Sequence, residues 1–419
     1  MAELENMSQK LSQLHLVEKS AIYMEVPQPD YVLLLDSQAC SRCNKDPVLA
    51  ATSSNHTVRL FNRNTLASIG TVEGHQKAVT GVKFGKTNTD LLYTSSLDGT
   101  VRCWDIRSNL KQPVQSFTVP ESLPKAKLCC LDISCDDGIL CAGTEQFKAK
   151  KKEKKKNKKT CDEESDMDSD EEDATVYMLF WDCRKSKMLG CYKESHQDDI
   201  TQVCFHPSHP DRLASGSTDG LVCTFHINET CEDDALQCIF NTESTVYKIG
   251  WGGKDNNAVY CLTHMETFHI WDTVESESML ELKNPRDLFK GKSQVDYLVD
   301  CFHGDQDRDK FHLLTGTHSG SLNIVELYNS QQTVVATLEG GHNATVRCMN
   351  WDEETVTLVT GGEDSMTCLW KPGQIKSEHT SSKASERKKK SQVKSKFKAS
   401  VTSKPYQKKD IPQMKSHSE

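Results

Sequence analysis

Short segments in which apolar and polar residues alternate recur along most of the chain, and turn residues separate them. The clearest example is the succession of Val79–Phe84, Leu91–Ser96, Thr100–Asp105 and residues 114–119. Alternation with a period of two is typical of β-strands that have one buried face. The Asp-Gly pair at 98–99 is a favoured two-residue hairpin turn. The sequence therefore predicts four consecutive antiparallel strands here.

The same four-strand unit recurs at a near-constant pitch, which is marked by a bulky residue near the end of its third strand. Seven such positions follow one another: Phe61, Trp104, Trp181, Phe225, Trp271, Val325 and Trp370. The step across a charged insertion is the longest, and the step from Trp271 to Val325 is moderately long. A repeat of about 40–45 residues with four strands in each unit is typical of a propeller. The sequence therefore predicts an all-β fold with seven blades.

The repeat resembles that of the WD40 family. Gly74 and His75 precede the first strand of the second unit, and Trp104 and Asp105 end its third strand, like the Gly-His and Trp-Asp marks of that family. The stretches GGHNATVRCMNWDEE (340–354) and LVTGGEDSMTCLWKPG (358–373) continue the pattern. The resemblance implies a non-catalytic, seven-bladed propeller that displays partners on its rim.

The two ends of the chain are predicted to close the ring together. The last repeat stops after Trp370, so the seventh blade lacks its outer strand. The N-terminus can supply that strand, from residues 21–26 or from residues 14–17, and so pair a sheet edge that would otherwise stay open. We divide the chain into an N-terminal segment, a propeller and a basic tail, at residues 1–20, 21–373 and 374–419.

Two charged stretches lie outside the repeat. Residues 148–174, in blade 3, hold nine lysines followed by nine acidic residues, and residues 376–419 hold 13 Lys and Arg against 4 Asp and Glu. Such blocks have too few apolar side chains to form a core, so both are predicted to be disordered. Ser165 and Ser169 each precede an acidic residue by three positions and are candidate phosphorylation sites.

The lysine runs leave several interpretations open. The formal net charge is −9, so an acidic body carries a basic tail. The runs at 150–159 and 387–390 are either nuclear localisation signals or weak, non-specific contacts to the phosphates of RNA or another nucleic acid. A tail that only keeps the protein soluble is the third possibility.

The 18 cysteines are predicted to stay reduced. Most of them lie in strand-like segments, as Cys103, Cys204 and Cys348 do, where a thiol packs as a small apolar group. The first thirty residues contain no apolar stretch of the kind found in signal peptides, and no apolar run is long enough to cross a membrane. We expect an intracellular protein, in the cytoplasm, the nucleus or both, without membrane association.

Three repeats place a histidine, a hydroxyl residue and an aspartate at matching offsets. The sets are His75, Thr94, Asp98 and Trp104 in blade 2; His196, Ser215 and Asp219 in blade 4, with Phe225 at the ring position; and His342, Thr360, Asp364 and Trp370 in blade 7. An enzyme needs one catalytic triad, whereas these sets recur, so we interpret them as buried structural networks.

In each network, the aspartate is expected to accept a hydrogen bond from the histidine, and the histidine is expected to donate to the hydroxyl, within reach of the indole N–H. Blades 1, 5 and 6 have Asn55, Met265 and Ser319 at the aspartate position. We expect these three blades to depend on apolar packing alone.

The sequence contains no motif for catalysis, metal binding or a cofactor. We predict a monomeric, non-enzymatic scaffold without cofactors that binds other proteins through the loops at one end of the channel. Candidate rim residues flank the network residues: Lys77, Leu97, Asp198, Asp199, Thr218, Asn343 and Glu363. The alternative is a nuclear or ribonucleoprotein-associated factor that contacts RNA through its lysine-rich segments.

Overall fold

The fold was analysed in a computed structural model. It describes residues 7–22, 30–39, 46–120, 126–148, 174–288, 294–304, 310–329 and 331–373. The lysine runs, the acidic block, the candidate phosphorylation sites Ser165 and Ser169 and the basic tail lie outside these residues.

Seven four-stranded antiparallel sheets follow one another along the chain. Blades 1 to 3 contain β2 (Val32–Ser37), β3 (Val48–Ser53), β4 (Val58–Asn62) and β5 (Ser68–Val72); β6 (Val79–Phe84), β7 (Leu91–Ser96), β8 (Thr100–Asp105) and β9 (Gln115–Thr118); and β10 (Leu128–Ile133), β11 (Ile139–Thr144), β14 (Met178–Asp182) and β15 (Lys187–Tyr192). Two short strands that pair with each other, β12 (Phe147–Lys148) and β13 (Ala174–Thr175), flank the charged insertion of blade 3.

The remaining blades continue the same order. Blades 4 to 6 contain β16 (Ile200–Phe205), β17 (Arg212–Ser217), β18 (Leu221–His226) and β19 (Leu236–Asn241); β20 (Val246–Gly252), β21 (Ala258–Thr263), β22 (Phe268–Asp272) and β23 (Ser278–Leu282); and β24 (Tyr297–His303), β25 (Phe311–Gly316), β26 (Leu322–Tyr328) and β27 (Gln331–Leu338). Blade 7 combines β28 (Val346–Asp352), β29 (Thr357–Gly362) and β30 (Met366–Pro372) with the N-terminal β1 (Leu14–Ala21). The helices are short: α1 (Met7–Ser12), α2 (Glu232–Ala235) and α3 (Pro285–Leu288).

The innermost strands of the seven sheets contact one another in cyclic order, from β2 through β6, β10, β16, β20 and β24 to β28 and back to β2. The prediction of an all-β, seven-bladed propeller is therefore confirmed. We name the four strands of each blade a to d, from the channel outwards.

The burial of the strands follows from their position in this ring. Second strands such as β7 and β17 are buried at almost every position, because each blade is packed between two others. The outer strand β19 alternates between buried and exposed residues, since only one of its faces meets a neighbour. Trp104, Trp181 and Trp370 are among the largest fully buried side chains, which explains why the bulky residue of strand c marks the repeat.

The N-terminus closes the ring. Strand β1 pairs antiparallel with β30, from Leu14 opposite Pro372 to Ala21 opposite Met366. The closing strand thus contains the candidate segment 14–17 and the first residue of the candidate segment 21–26, whose residues 23–26 lie outside the described ranges. The boundary drawn between residues 20 and 21 is wrong, because it falls inside this strand. Buried side chains at both ends, Leu14 and Ile22, fix the strand where alternation alone left two choices.

Among the described residues, no helix is long and apolar enough to cross a membrane. The fifteen cysteines in the described ranges are free thiols. Most are buried, and burial raises the pKa of Cys130 to about 12, so these side chains pack as neutral apolar groups.

Candidate functional site at the loop rim

The blade 2 network joins two strands, the turn between them and a loop. His75, in the loop between blades 1 and 2, places Nδ1 2.9 Å from Oδ2 of Asp98 and Nε2 2.8 Å from Oγ1 of Thr94. The indole N–H of Trp104 donates to the same Thr94 oxygen at 2.9 Å. The structure thus brings all four predicted residues into one connected chain, closed to solvent at the histidine.

The protonation states give the direction of each bond. Burial lowers the pKa of His75, so the ring is neutral at pH 7. Burial opposes ionisation of Asp98, but hydrogen bonds from Thr100, Gln76 and His75 outweigh it and lower its pKa to about 2. A neutral imidazole has one N–H, which donates to the Asp98 carboxylate, so Nε2 must accept a hydrogen bond from the Thr94 hydroxyl. The predicted direction of that second bond, from histidine to hydroxyl, is wrong.

Blade 7 repeats this geometry. His342 Nδ1 lies 3.1 Å from Oδ1 of Asp364, and its Nε2 lies 2.8 Å from Oγ1 of Thr360. Trp370 donates to Thr360 at 2.9 Å. The His342 and Thr360 side chains are almost completely buried.

Blade 4 has a shorter version of the network. His196 connects Asp219, at 3.0 Å, with the Ser215 hydroxyl, at 2.6 Å. Phe225 is buried at the ring position but has no N–H to donate. The chain of hydrogen bonds therefore stops at Ser215.

The expectation that blade 1 depends on apolar packing alone is wrong, because polar contacts replace the missing network. In blade 1, Asn55 Oδ1 accepts hydrogen bonds from the backbone N–H of Thr57 at 3.2 Å and from its hydroxyl at 2.6 Å. A short amide can satisfy the turn in place of the aspartate, since its carbonyl oxygen accepts in the same way.

Blades 5 and 6 also contain buried polar contacts. In blade 5, the hydroxyl of Thr267 lies 2.8 Å from His269 Nε2, and the His269 ring stacks on Trp271 at 5.2 Å. In blade 6, Thr337 donates to the buried Asn323 side chain at 2.8 Å. These contacts use residues outside the repeat pattern, so the expectation of purely apolar packing is wrong for both blades.

Two tyrosines link blades 5, 6 and 7 to one another. The hydroxyl of Tyr247 donates to the carbonyl of Leu298 at 2.6 Å, and the hydroxyl of Tyr297 accepts from the N–H of Val346 at 2.7 Å. Each tyrosine lies on the inner strand of one blade and reaches the inner strand of the next. Sequence reasoning missed both residues, because a tyrosine in an apolar strand looks like ordinary core.

The loops that hold the rim candidates are fixed by a repeated backbone contact. The first residue after strand b donates to the loop before strand a in six blades. In blades 2, 4 and 7 the contacts are Leu97 to Ala78 at 3.0 Å, Thr218 to Asp199 at 2.9 Å and Glu363 to Thr345 at 2.9 Å. All seven rim candidates belong to these paired loops. The structure therefore brings them to one end of the channel.

The rim candidates differ in how exposed their side chains are and in whether those side chains already accept hydrogen bonds. Asp199 accepts a hydrogen bond from the N–H of Gln146 at 2.6 Å, and Glu363 accepts one from Arg347 at 2.7 Å. Lys77 and Asn343 are exposed, whereas Leu97, Asp198 and Thr218 are partly buried. Lys77 and Asn343 are thus the candidates best placed to contact a partner.

The channel itself is a cavity of about 520 Å³ lined by the inner strands. The carboxylates beside it join one blade to the next. Asp36 accepts the N–H of Phe84 at 2.6 Å, and Asp300 pairs with Lys248 at 2.7 Å. Within the described ranges, no group of three or more His, Cys, Asp or Glu side chains is arranged to hold a metal ion.

A third carboxylate, in blade 3 next to the channel, contacts both neighbouring blades. Asp132 accepts the N–H of Phe205 at 2.7 Å and lies 3.4 Å from Nζ of Lys83. The charge of Asp132 raises the pKa of Lys83, so the lysine stays protonated and acts as a fixed cation. A lysine whose pKa is raised in this way is not a general base at neutral pH.

Comparison with known proteins agrees with this architecture. The family model for the WD40 repeat (WD domain, G-beta repeat) matches residues 66–105, 187–226 and 332–371. Each match begins at the outer strand of one blade and ends with strand c of the next. The three matches contain the three His–hydroxyl–Asp networks, and strands a to c of the other four blades lie outside them.

Similar proteins carry the same repeat. The chain is 29% identical over 349 residues to WD repeat-containing protein GTS1 of Arabidopsis thaliana, which covers 77% of this chain and 78% of the relative. It is 24% identical over 372 residues to WD repeat-containing protein 89 homolog of Dictyostelium discoideum. That alignment covers 87% of this chain and 90% of the relative. The chain thus contains three matched WD40 repeats within a seven-bladed propeller, and it is similar to WD repeat-containing proteins over most of its length.

Proposed function

We propose that this protein is a monomeric, non-catalytic scaffold that binds other proteins at the loop rim around Lys77 and Asn343. The observation that carries the proposal is the repeated pairing of the loops before strand a with those after strand b. Loops held in this way present exposed side chains in a fixed geometry, and a preorganised surface loses little entropy on binding.

The ion pairs beside the channel support the non-catalytic part of the proposal. Asp36, Asp132 and Asp300 all have partners in the adjacent blade. Carboxylates that hold blades together are poor candidates for general acids or bases, because their proton transfer would break inter-blade contacts. The His–hydroxyl–Asp sets are equally committed, since each histidine is buried between its own two partners.

The rim is tested by affinity purification of the full-length chain with Lys77→Glu and Asn343→Ala combined. We expect the amount of each co-purifying protein to fall at least about tenfold relative to the wild type. A partner surface that is complementary to a lysine would repel the glutamate that replaces it. Lys185→Glu is the control, because Lys185 is exposed in the turn after strand c, at the opposite end of the propeller. Retention of every partner by the rim variant would refute the proposal.

The same experiment at two salt concentrations distinguishes the RNA-contact alternative. Binding through lysine-rich segments falls steeply with salt, because counterions compete for the phosphates. Binding that ignores the rim substitutions, collapses with salt and disappears after nuclease treatment would replace the scaffold proposal with the alternative.

A further inference from the structure

The outer groove between blades 6 and 7 is filled by the protein's own N-terminal helix. Met7 and Leu11, one helical turn apart in α1, are 8% and 0% exposed and pack into the same apolar cluster as Ala336 and Val356. The Met7 Cε atom lies 3.2 Å from the position that a Cβ would take on Gly304.

Ser8 gives this helix a polar contact as well. Its hydroxyl donates to the carboxylate of Glu326, in strand c of blade 6. The helix is therefore held by an aliphatic residue, a hydroxyl residue next to it and a second aliphatic residue four positions after the first.

The equivalent groove between blades 5 and 6 has the same architecture but no occupant among the residues that the structure describes. Strand pairing places Leu280 where Ala336 stands in the filled groove, since each pairs with the residue just before the bulge in strand c. Phe311 likewise corresponds to Val356, and Gly253 corresponds to Gly304 as the first residue after strand a. A cavity of about 440 Å³ remains here, lined by Gly253, Ala258, Ile270, Leu280, Phe311 and Leu327.

The polar groups at the edge of this open groove also match those around α1. Asp272 stands at the position of Glu326, the first residue after the bulky residue of strand c. Lys254 is exposed at the edge and forms no ion pair with any residue that the structure describes. Met279 and Tyr328 flank the opening and are 54% and 40% exposed.

We propose that the groove between blades 5 and 6 docks a short helix of a partner protein. The helix carries an aliphatic residue, a Ser or Thr directly after it and a second aliphatic residue four positions after the first. The two aliphatic side chains enter the cavity as Met7 and Leu11 enter the neighbouring one, and the hydroxyl donates to Asp272. An acidic residue of the helix pairs with Lys254. This surface lies apart from the loop rim and does not depend on it.

The test is a selection of phage-displayed, randomised twelve-residue peptides on the immobilised full-length protein. The enriched peptides are then synthesised, and their affinities for the protein are measured by fluorescence polarisation. We expect the enriched sequences to share the aliphatic–hydroxyl–x–x–aliphatic pattern with an added Asp or Glu. We expect Met279→Glu to weaken their binding at least about tenfold, because a charge at the mouth must be desolvated against apolar side chains.

The chain offers a matched control for this variant. Leu189 occupies the position of Met279 in the outer strand of blade 3 and is 56% exposed, so Leu189→Glu is an equivalent surface change beside a different groove. It should leave peptide affinity unchanged. Lys254→Glu should weaken the acidic peptides, and replacing their acidic residue by Lys should restore binding to that variant.

Selection that yields no binders would overturn the proposal. So would binders that lack the pattern, or that respond to Leu189→Glu or Lys77→Glu instead of Met279→Glu. Because Met279 and Leu189 are both exposed, equal thermal unfolding temperatures of the two variants and the wild type would show that folding is not the cause of any loss.

Discussion

Blades 2 and 7 each hold a complete His–hydroxyl–Asp–Trp network, whereas blades 5 and 6 lack one and direct tyrosine hydroxyls towards the next blade. In blade 7, His342, Thr360 and Trp370 form one hydrogen-bonded chain within the blade. In blades 5 and 6, Tyr247 and Tyr297 reach across to the inner strand of the next blade. Both arrangements satisfy buried polar groups, so the repeat sequence is one solution among several that the fold allows.

The blades that contain the complete or shortened networks are also those in which the WD40 family model matches the sequence. The three matched repeats end in blades 2, 4 and 7, which contain the networks. Blade 5 and strands a to c of blade 6 lie outside them, and the open groove that we propose as a docking site lies between these two blades. Loss of the repeat signature and appearance of a distinctive surface therefore occur in the same part of the ring, which is where a protein-specific partner would be expected.

The largest effect should come from removing the central hydroxyl of a complete network. Thr360→Val keeps the size of the side chain but leaves His342 Nε2 and the indole N–H of Trp370 without partners. We expect the free energy of unfolding to fall by about 2–4 kcal/mol, since each buried orphan costs about 1–3 kcal/mol. Ser215→Ala orphans only the histidine nitrogen and should cost about 1–2 kcal/mol.

Urea denaturation of the two variants checks this difference. Thr333→Val, on the exposed outer strand of blade 6, is the control and should change the free energy of unfolding by less than about 0.5 kcal/mol. Equal losses for Thr360→Val and Ser215→Ala would mean that the indole hydrogen bond contributes nothing, and the contrast between complete and shortened networks would disappear.

Most of the fold could be predicted from the sequence because each strand carries its own signal. The first three strands predicted for blade 2 coincide with β6, β7 and β8, and the network residues follow from their recurrence at fixed offsets. Helix α1 could not be predicted, because Met7 and Leu11 are the only apolar residues in six. A spacing of four in so short a segment becomes informative only when the groove that receives it is known.

The candidate site was less predictable for a similar reason. The sequence placed Asp199 and Glu363 on the rim, but it could not show that Gln146 and Arg347 already engage them. Such contacts join residues that are distant in sequence, and no repeat pattern records them. Tyr247 and Tyr297 were missed on the same grounds, since their partners belong to another blade.

Lowering the pH should reduce the stability that the His–hydroxyl–Asp networks contribute to their blades. The hydrogen bonds to Asp98 lower its folded-state pKa to about 2, from the 3.8 of an unperturbed aspartate. A depressed carboxyl pKa contributes stability that is complete above the unfolded-state pKa and is lost as the pH falls through the folded-state value. The contribution is about 2 kcal/mol above pH 5, and about half of it should be gone at pH 3.

Urea denaturation at pH 5, 4 and 3 measures this loss. Asp98→Asn removes the titrating group, so its free energy of unfolding should fall less steeply between pH 5 and 3, by about 1 kcal/mol. His75 acts in the same direction at higher pH, since burial lowers its pKa and the unfolded chain takes up the proton first. Parallel pH profiles for the wild type and Asp98→Asn would refute the linkage.

The smallest effect should come from restoring one network residue to a blade that lacks the others. Met265 occupies the aspartate position in blade 5 and is 70% exposed. The loop before strand a of this blade, from Thr242 to Thr245, contains no histidine. Met265→Asp therefore gains no partner, and it places a charge next to Glu266. We expect the free energy of unfolding to change by less than about 0.5 kcal/mol. A stabilisation of 1 kcal/mol or more in urea denaturation would show that the aspartate stabilises the turn by itself, so the difference between the blades would lie in single residues and not in connected networks.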